Sequence, residues 1–334
     1  MTPSDKKILV LIGPTGVGKT GASILLAKML NTEIISADSM QIYRHMDIGT
    51  AKPTEQERSV VRHHMIDIVD PWESFSTGRY IERVVPIIES LHEEGKIPLI
   101  VGGTGLYIKA MTRGFFSGPS ADWGLRERLL SMEEEEKGYL HACLKDIDPE
   151  AAGKITPNDT RRIVRALEVC FKSEGSMSEV QKRHTKPLPY RFIKIGLTRE
   201  RKELYRLIEE RVDEMFRNGL IEEVEKILAM IEKVRPGFPL PSMQAIGYKE
   251  IVGYLRREIS LEEAVHLIKR GTKRYAKRQF TWFGKEEGIR WFDITGIRES
   301  SEVASRVSAG SDGLFPQLKG EVETLAIFER NTIC

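Results

Sequence analysis

Over the first hundred positions short apolar runs alternate with stretches of helical spacing. Lys7–Ile12 reads as a fully buried strand, Glu33–Ser36 as a second, Met65–Val69 as a weaker third and Ile97–Val101 as a fourth. Helical patterns over Thr20–Leu30 and Tyr80–Glu94 lie between them. Continuous apolar strands separated by helices predict a parallel sheet covered on both faces. From Gly114 to Tyr190 the strand runs stop and the pattern turns helical and highly charged, with Glu133–Glu136 as one acidic run. Gly114–Ser120 reads as a hinge or linker. Arg191–Leu197 resumes a strand pattern, long helices are expected over Arg199–Lys233 and Leu261–Trp282, and Ile289–Asp293 reads as a last strand. The expected layout is an α/β core over 1–114 and 191–295, with C-terminal helices, interrupted by a helical insertion over 115–190. Residues 296–334, rich in Ser and Gly, read as a peripheral tail.

Composition narrows the class. A length of 334 residues suits about two domains. With 40% hydrophobic and 30% charged residues, a disordered or collagen-like chain is excluded. The longest plain apolar run, Ile8–Ile12, is far too short to span a bilayer, and no secretory signal pattern opens the chain. Cys143, Cys170 and Cys334 are far apart, which argues against a disulfide framework or a cysteine-rich zinc module and for a reducing, cytoplasmic setting. A net charge of +2 decides nothing about nucleic acid, so the distribution of charge matters instead.

The sharpest motif is Gly13-Pro14-Thr15-Gly16-Val17-Gly18-Lys19-Thr20, a G-x-x-x-x-G-K-[ST] phosphate loop between a strand and a helix. Glycines let backbone N–H groups curl round phosphate oxygens, and the helix amino end adds partial positive charge. Lys19 neutralises phosphate, and the Thr20 hydroxyl is a Mg²⁺ ligand. The sheet is therefore expected to be P-loop NTPase-like, holding a di- or triphosphate or a pyrophosphate ester. Asp38 follows the second strand, at the edge where open α/β sheets bind ligands. Holding a water on Mg²⁺, acting as general base and capping a turn are all open to it. Val101-Gly102-Gly103-Thr104-Gly105-Leu106-Tyr107 puts a second Gly-rich turn at the same edge, where Thr104 either meets a phosphate oxygen or caps a helix. No apolar strand ends in Asp-Glu, which weakens a hydrolytic ATPase reading. His63-His64 has no third ligand at metal spacing and reads as structural.

Two basic clusters stand out. Lys269, Arg270, Lys273, Arg274, Lys277, Arg278 and Lys285 repeat at helical spacing with Tyr275, Phe280, Trp282 and Phe283 interleaved. This suits an RNA backbone and an unstacked base, or equally a solvated face over a core-packed aromatic side. Arg161, Arg162 and Arg165 form the second cluster, with Ile163 and Val164 expected to face the insertion core.

Taken together the motifs resemble the tRNA dimethylallyltransferase (tRNA isopentenylpyrophosphate transferase) family, in its bacterial form without an appended zinc finger. The matching blocks are Gly13–Thr20, Asp38–Arg44, Asp47–Pro53, His63–Pro71, Val101–Tyr107, Pro157–Val169 and Gln244–Tyr248, and the resemblance runs over about residues 5–295. Trp123 departs from it, standing where the family usually has Pro after Ser-Ala-Asp, and this blurs the register of Arg126. The resemblance implies transfer of a dimethylallyl group from dimethylallyl diphosphate to the N6 amine of the adenosine 3′ to the anticodon, with release of diphosphate. It implies Asp38 as general base, Thr104 against the departing pyrophosphate, and Lys19 and Arg211 at the phosphates. It also implies that Gly13, Pro14, Thr15, Gly16, Val17, Gly18, Lys19 and Thr20 bind pyrophosphate rather than ATP, with Mg²⁺ on Thr20. The tRNA anticodon stem-loop would meet Asp38, Ser39, Met40, Gln41, Thr104, Arg126, Arg161, Arg162, Ile163, Val164, Arg165, Gln244, Ala245, Ile246, Gly247, Tyr248 and Lys249. A monomer acting away from membranes is expected. The runner-up is a small-molecule or nucleotide kinase with a helical lid, and a third reading is a non-catalytic RNA-binding module, which the intact Lys19 and Thr20 argue against.

Overall fold

The computed structural model describes residues 6–116, 118–173, 175–234 and 241–310. The elements run in chain order as β1 (Lys7–Ile12), α1 (Lys19–Met29), β2 (Ile34–Ser36), α2 (Glu55–Val60), β3 (His63–His64), α3 (Thr77–Glu93), β4 (Leu99–Gly102) and α4 (Gly105–Arg113). Five helices follow: α5 (Trp123–Glu135), α6 (Tyr139–Ile147), α7 (Pro149–Lys154), α8 (Thr160–Lys172) and α9 (Met177–His184). Then come β5 (Arg191–Thr198), α10 (Arg201–Arg217), α11 (Leu220–Val234), α12 (Tyr248–Leu255), α13 (Leu261–Phe283), β6 (Ile289–Asp293) and α14 (Ser300–Gly310). Residues group into two compact units, 109–188 and the rest.

In the larger unit six strands form one sheet in the order β3-β2-β4-β1-β5-β6, and every pair is parallel. Leu9, Leu11, Leu99 and Ile195 share one core with Leu26 and Ala27 of α1 and Val303 and Val307 of α14. Alternation puts Ile8, Val10 and Ile12 on the opposite face, and they too are fully buried. There α3 is tied down by His92, whose ring bonds the Lys7 carbonyl at 2.9 Å, and by Tyr80, whose hydroxyl donates to the Ser36 carbonyl at 3.2 Å. Burial on both faces is why these strands show no polar alternation. With β1 central and its neighbours parallel to it, the loops after β1, β2 and β4 open at one sheet edge. A second core joins Ile42, Tyr43 and Met46 to α10, α11, α12 and α13 and floors the region beside that edge.

Three expectations need correction. Met65–Val69 is not a strand: Met65 and Asp67 have left-handed φ of +62° and +55°, so the run curls, and His63–His64 pairs with β2 instead. Arg199–Lys233 is two helices, broken at Asn218–Gly219. The residues from 296 are not peripheral up to 310: Ile297, Val303, Ala304 and Val307 are core residues, packed with α1 because α14 offers it an apolar stripe. The remainder, 311–334, lies outside the described residues.

The smaller unit has its own core, with Leu129, Leu140, Leu144, Ile163, Val164 and Leu167 at its centre. Among its described residues the buried carboxylates are all satisfied. Glu133, first of the acidic run, accepts the Gly138 and Leu140 amides at 2.8 and 3.0 Å, and Asp148 accepts those of Ala151 and Ser178 at 2.9 and 2.8 Å. Glu168, with no exposure, takes the Asp122 amide at 2.7 Å, Arg126 at 2.9 and 2.8 Å, and Arg165.

Candidate active site

β1 runs straight into Gly13–Thr20, and α1 begins at Lys19. Gly18 has φ +105°, a left-handed turn that a side chain would strain. The amino end of α1 thereby meets a cavity of about 300 Å³. Thr15, Gly16, Gly18, Lys19 and Thr20 form one wall; Ser36 comes from the end of β2, Asp38 and Gln41 from beyond it, Gly102 from β4 and Arg211 from α10. The Lys19 ammonium donates to the Gly13 and Pro14 carbonyls, both at 2.9 Å. Withdrawal from water pulls its pKa down to about 8; Asp38 opposes that shift and the Arg211 charge adds to it. Arg211 Nη2 donates to Thr15 Oγ1 at 2.7 Å, while its buried Nε has no partner among the described residues. Burial lowers the Arg211 pKa as well, again against Asp38. A loop of amides, an ammonium and an under-used guanidinium converging on one hollow suit an anion with several oxygens.

A second cavity of about 290 Å³ shares Thr15, Asp38, Thr50 and Arg211 with the first. Its other walls are largely apolar (Met40, Val212, Met215, Ile246, Ile268), with Tyr275 and Arg278 from α13. Asp38 stands where the two meet. One carboxylate oxygen, Oδ1, accepts the Met40 amide at 2.8 Å and the Gln41 amide at 3.4 Å. The turn role and the chemical role left open for Asp38 are thus compatible: one oxygen orients the group and the other carries no protein hydrogen bond among the described residues.

Thr104 lines neither cavity. Its Oγ1 accepts the Ser39 amide at 3.0 Å and lies against the Tyr275 phenol, and both of those residues line the second cavity. Burial, and after it Asp38, raises the Tyr275 pKa, which keeps that phenol neutral. His63 and His64 serve structure: His63 bonds the Val61 carbonyl at 2.7 Å and His64 bonds Glu33 at 2.6 Å. Among the described residues no cluster of three or more His, Cys, Asp or Glu is placed to hold a metal. Thr20 and Asp38 are among the oxygen donors that line the first cavity, a hard set that fits Mg²⁺ on a phosphate ligand better than a soft-metal centre.

Three supporting residues carry no local sequence signal. Gln279 of α13, nearly buried, accepts the Thr15 amide at 2.8 Å and donates to the Gly103 carbonyl at 2.8 Å, bolting the two Gly-rich loops together. A Cβ on Gly103 would lie 2.2 Å from its amide nitrogen, so this approach requires glycine. Glu223 of α11 collects the amides of Asp47, Ile48 and Gly49 at 2.9, 2.7 and 3.1 Å and the Tyr248 hydroxyl at 2.6 Å, which holds the Thr50 loop over the cavities. Arg199 ties the Val17 carbonyl, at 3.0 Å, to the Ile294 and Ile297 carbonyls beyond β6.

The residues that the resemblance assigns to tRNA fall into three groups. Ser39, Met40, Gln244, Ala245, Ile246 and Gly247 line the second cavity with Asp38, and Gln41 lines the first. Arg161, Arg162 and Lys249 are exposed. The side chains of Ile163, Val164 and Tyr248 are buried in cores, so they can shape a contact surface but not touch a partner, and Arg126 and Arg165 are engaged by Glu168. On α13, Lys269 and Lys273 pair with Asp213 and Glu209 of α10, whereas Arg270, Arg274, Lys277 and Arg278 are exposed, and Arg278 stacks on Tyr275 at 5.6 Å.

The family model described as IPP transferase matches residues 41–286. A tRNA dimethylallyltransferase of Thermodesulfovibrio yellowstonii is 60% identical over 303 residues, covering 90% of this chain and 96% of that protein. One from Syntrophobacter fumaroxidans is 50% identical over 295 residues, 87% of this chain and 85% of that protein. Among solved structures, the tRNA isopentenylpyrophosphate transferase of Bacillus halodurans is similar with TM-score 0.66 and 43% identity, covering 96% of this chain and 99% of that one. A eukaryotic dimethylallyltransferase captured acting on tRNA gives TM-score 0.77 and 30% identity over 92% of this chain and 79% of that one. These matches lend no support to the kinase reading.

Proposed function

The chain belongs to the IPP transferase family, and from that premise we propose that it is a tRNA prenyltransferase moving a dimethylallyl group from dimethylallyl diphosphate to tRNA. The acceptor is the N6 amine of the adenosine 3′ to the anticodon, and diphosphate is the leaving group. One observation carries the reading: a phosphate-loop cavity and a largely apolar cavity share Asp38 and Arg211. Diphosphate lies in the first, with the loop amides, Lys19 and Arg211 on its oxygens. The prenyl chain and the adenine meet beside Asp38 in the second.

The energetics require such a division. Burying five carbons at about 0.8 kcal/mol each gives roughly 4 kcal/mol. A micromolar complex needs about 8 kcal/mol, so the diphosphate must contribute the rest. In the reaction the N6 lone pair forms a bond to the allylic carbon, the carbon–oxygen bond breaks with its electrons going to diphosphate, and the N6 proton passes to Asp38. An exocyclic amine is barely acidic, so Asp38 accepts the proton as the new bond forms. Lys19 and Arg211 stabilise the charge growing on the leaving oxygens, and Thr104 acts behind Ser39 and Tyr275 by fixing the loop. Mg²⁺ would be held by the Thr20 hydroxyl with diphosphate oxygens, and when bound it neutralises part of that charge. The adenine must leave its stack, which a single-stranded anticodon loop makes cheap, and the exposed α13 arginines hold the phosphates of the distorted loop. A substrate of this kind places the enzyme in the cytoplasm, away from membranes; among the described residues no helix is long and apolar enough to cross one.

Incubation with tRNA, Mg²⁺ and labelled dimethylallyl diphosphate should put label into RNA, and a protein that leaves the RNA unlabelled overturns the reading. Asp38→Ala should lower the single-turnover rate by about 10²–10⁴ with tRNA affinity kept within about tenfold; a near-normal rate removes the base role.

A further inference from the structure

The smaller unit displays an aromatic ring that the reaction does not use. Trp123, first residue of α5, is 62% exposed, the largest fraction among the big apolar side chains of the described residues. A lone exposed indole is unremarkable, but this one has a rigid backing. The Arg126 guanidinium lies 5.1 Å from its ring centroid. That guanidinium is held by Nε and Nη2 on the fully buried Glu168. The chain leading into Trp123 is pinned as well. Arg165 donates to the Pro119 carbonyl at 3.0 Å, Lys172 to the Ser120 carbonyl at 3.2 Å, the Asp122 amide to Glu168 at 2.7 Å, and Asp122 caps the Leu125 amide at 3.0 Å. A buried carboxylate and three cations thus immobilise a short surface segment whose outermost group is an indole in water.

From this arrangement we propose that Trp123 is a stacking platform for an unpaired base of the tRNA substrate, a proposal that rests on the tRNA reading above. A ring covered on one face by a fixed guanidinium offers the other to a flat, electron-poor or π-faced group, and it loses little side-chain entropy when that group arrives. Glu168 and Asp122 engage Arg126, Arg165 and Lys172, which leaves the exposed Arg128, whose charge reaches Asp122, to favour an occupant with negative charge beside its flat face. A nucleobase on its phosphate backbone combines both properties, and only single-stranded RNA leaves a base free to stack. Leu130, two helical turns along α5 and 45% exposed, marks what a protein partner would use instead.

Full-length wild-type, Trp123→Ala, Trp123→Phe and Leu130→Ala proteins can be titrated with a fluorescently labelled anticodon stem-loop RNA over a range of salt. Trp123→Ala should weaken binding roughly 5- to 100-fold, about 1–3 kcal/mol. Trp123→Phe should stay within about threefold of wild type, because a ring remains. The salt slope of the Ala variant should match wild type, since no phosphate contact is lost. Its affinity for dimethylallyl diphosphate should not move. An Ala variant binding RNA within twofold of wild type overturns the proposal, as does a Leu130→Ala loss of equal size, which would indicate a protein-type apolar patch. A wild type that labels tRNA normally while Trp123→Ala is indifferent overturns the platform alone; a wild type that neither binds nor labels tRNA overturns the platform and the function together.

Discussion

Lys19 sets a pH limit on donor binding. Its free-protein pKa of about 8 must rise when an anionic diphosphate sits against it. The lysine is therefore already protonated below about 8 and must take up a proton on binding above that, so affinity falls as pH rises, with a limit of tenfold per unit. Phosphate esters finish ionising near pH 6, so the ester does not mask the effect. Calorimetric titration of dimethylallyl diphosphate from pH 7 to 9.5 should give a flat Kd up to about 8 and steady weakening beyond; a flat line to 9.5 would remove Lys19 from the phosphate contact. At this scale the sequence was informative wherever chemistry is local. The loop motif pointed to Lys19 and Thr20 and the strand end to Asp38, and all three line the first cavity. Gln279 and Glu223 escaped because their partners lie 264 and 174–176 positions away, and no spacing rule connects a glutamine on a basic helix to an amide in a glycine loop.

Helix α13 has two opposed roles. Its outer side presents Arg270, Arg274 and Arg278, and its inner side sends Gln279 between the Gly-rich loops. Of the two readings posed for its sequence, the core-packed side is observed in Phe283 and Gln279, and the exposed arginines suit RNA or solvent alike, which the salt dependence of binding distinguishes. Neutralising Arg270 and Arg274, which line neither cavity, should together lower the salt slope of tRNA binding by about 1.4, at about 0.7 per lost single-strand contact, and leave donor affinity unchanged. Gln279→Leu should do the reverse: two stranded backbone groups, about 1–3 kcal/mol each, should loosen the loop and weaken donor binding by on the order of tenfold or more. The same salt slope in the double variant as in wild type returns the outer side to plain solvation. Other element boundaries were legible to the extent that side chains decided them. Lys7–Ile12 and Ile289–Asp293 are strands as their apolar runs predict. Met65–Val69, the weaker run, is also mostly apolar, but left-handed backbone at Met65 and Asp67 overrules it.

At the scale of the molecule two units carry separate cores, and acid should act on the smaller one through Glu168. Burial alone would push this carboxyl up, but Arg126, the Asp122 amide and Arg165 outweigh it and hold it at about 2, below the ordinary 4.5. A depressed carboxyl contributes stability above its unfolded value, and that contribution drains away as pH falls from 4.5 towards 2. Thermal melts of wild type and Glu168→Gln should therefore differ most at neutral pH, by about 3 kcal/mol, with the gap falling by about half at pH 3 and closing only towards pH 2. A constant gap across that range would show that the ion pairs do not govern the unit's stability. The sequence announced an insertion by its change of character, although the tail's contribution to the main core could not be seen in a Ser- and Gly-rich composition. The two ends of the insertion meet: the Leu188 amide donates to the Met111 carbonyl at 3.0 Å, and Gly114 abuts the Lys186 backbone. Every residue lining either cavity lies outside 109–188. A short linker spliced from Met111 to Leu188 should therefore leave every residue that lines either cavity in the chain, at a small closure entropy.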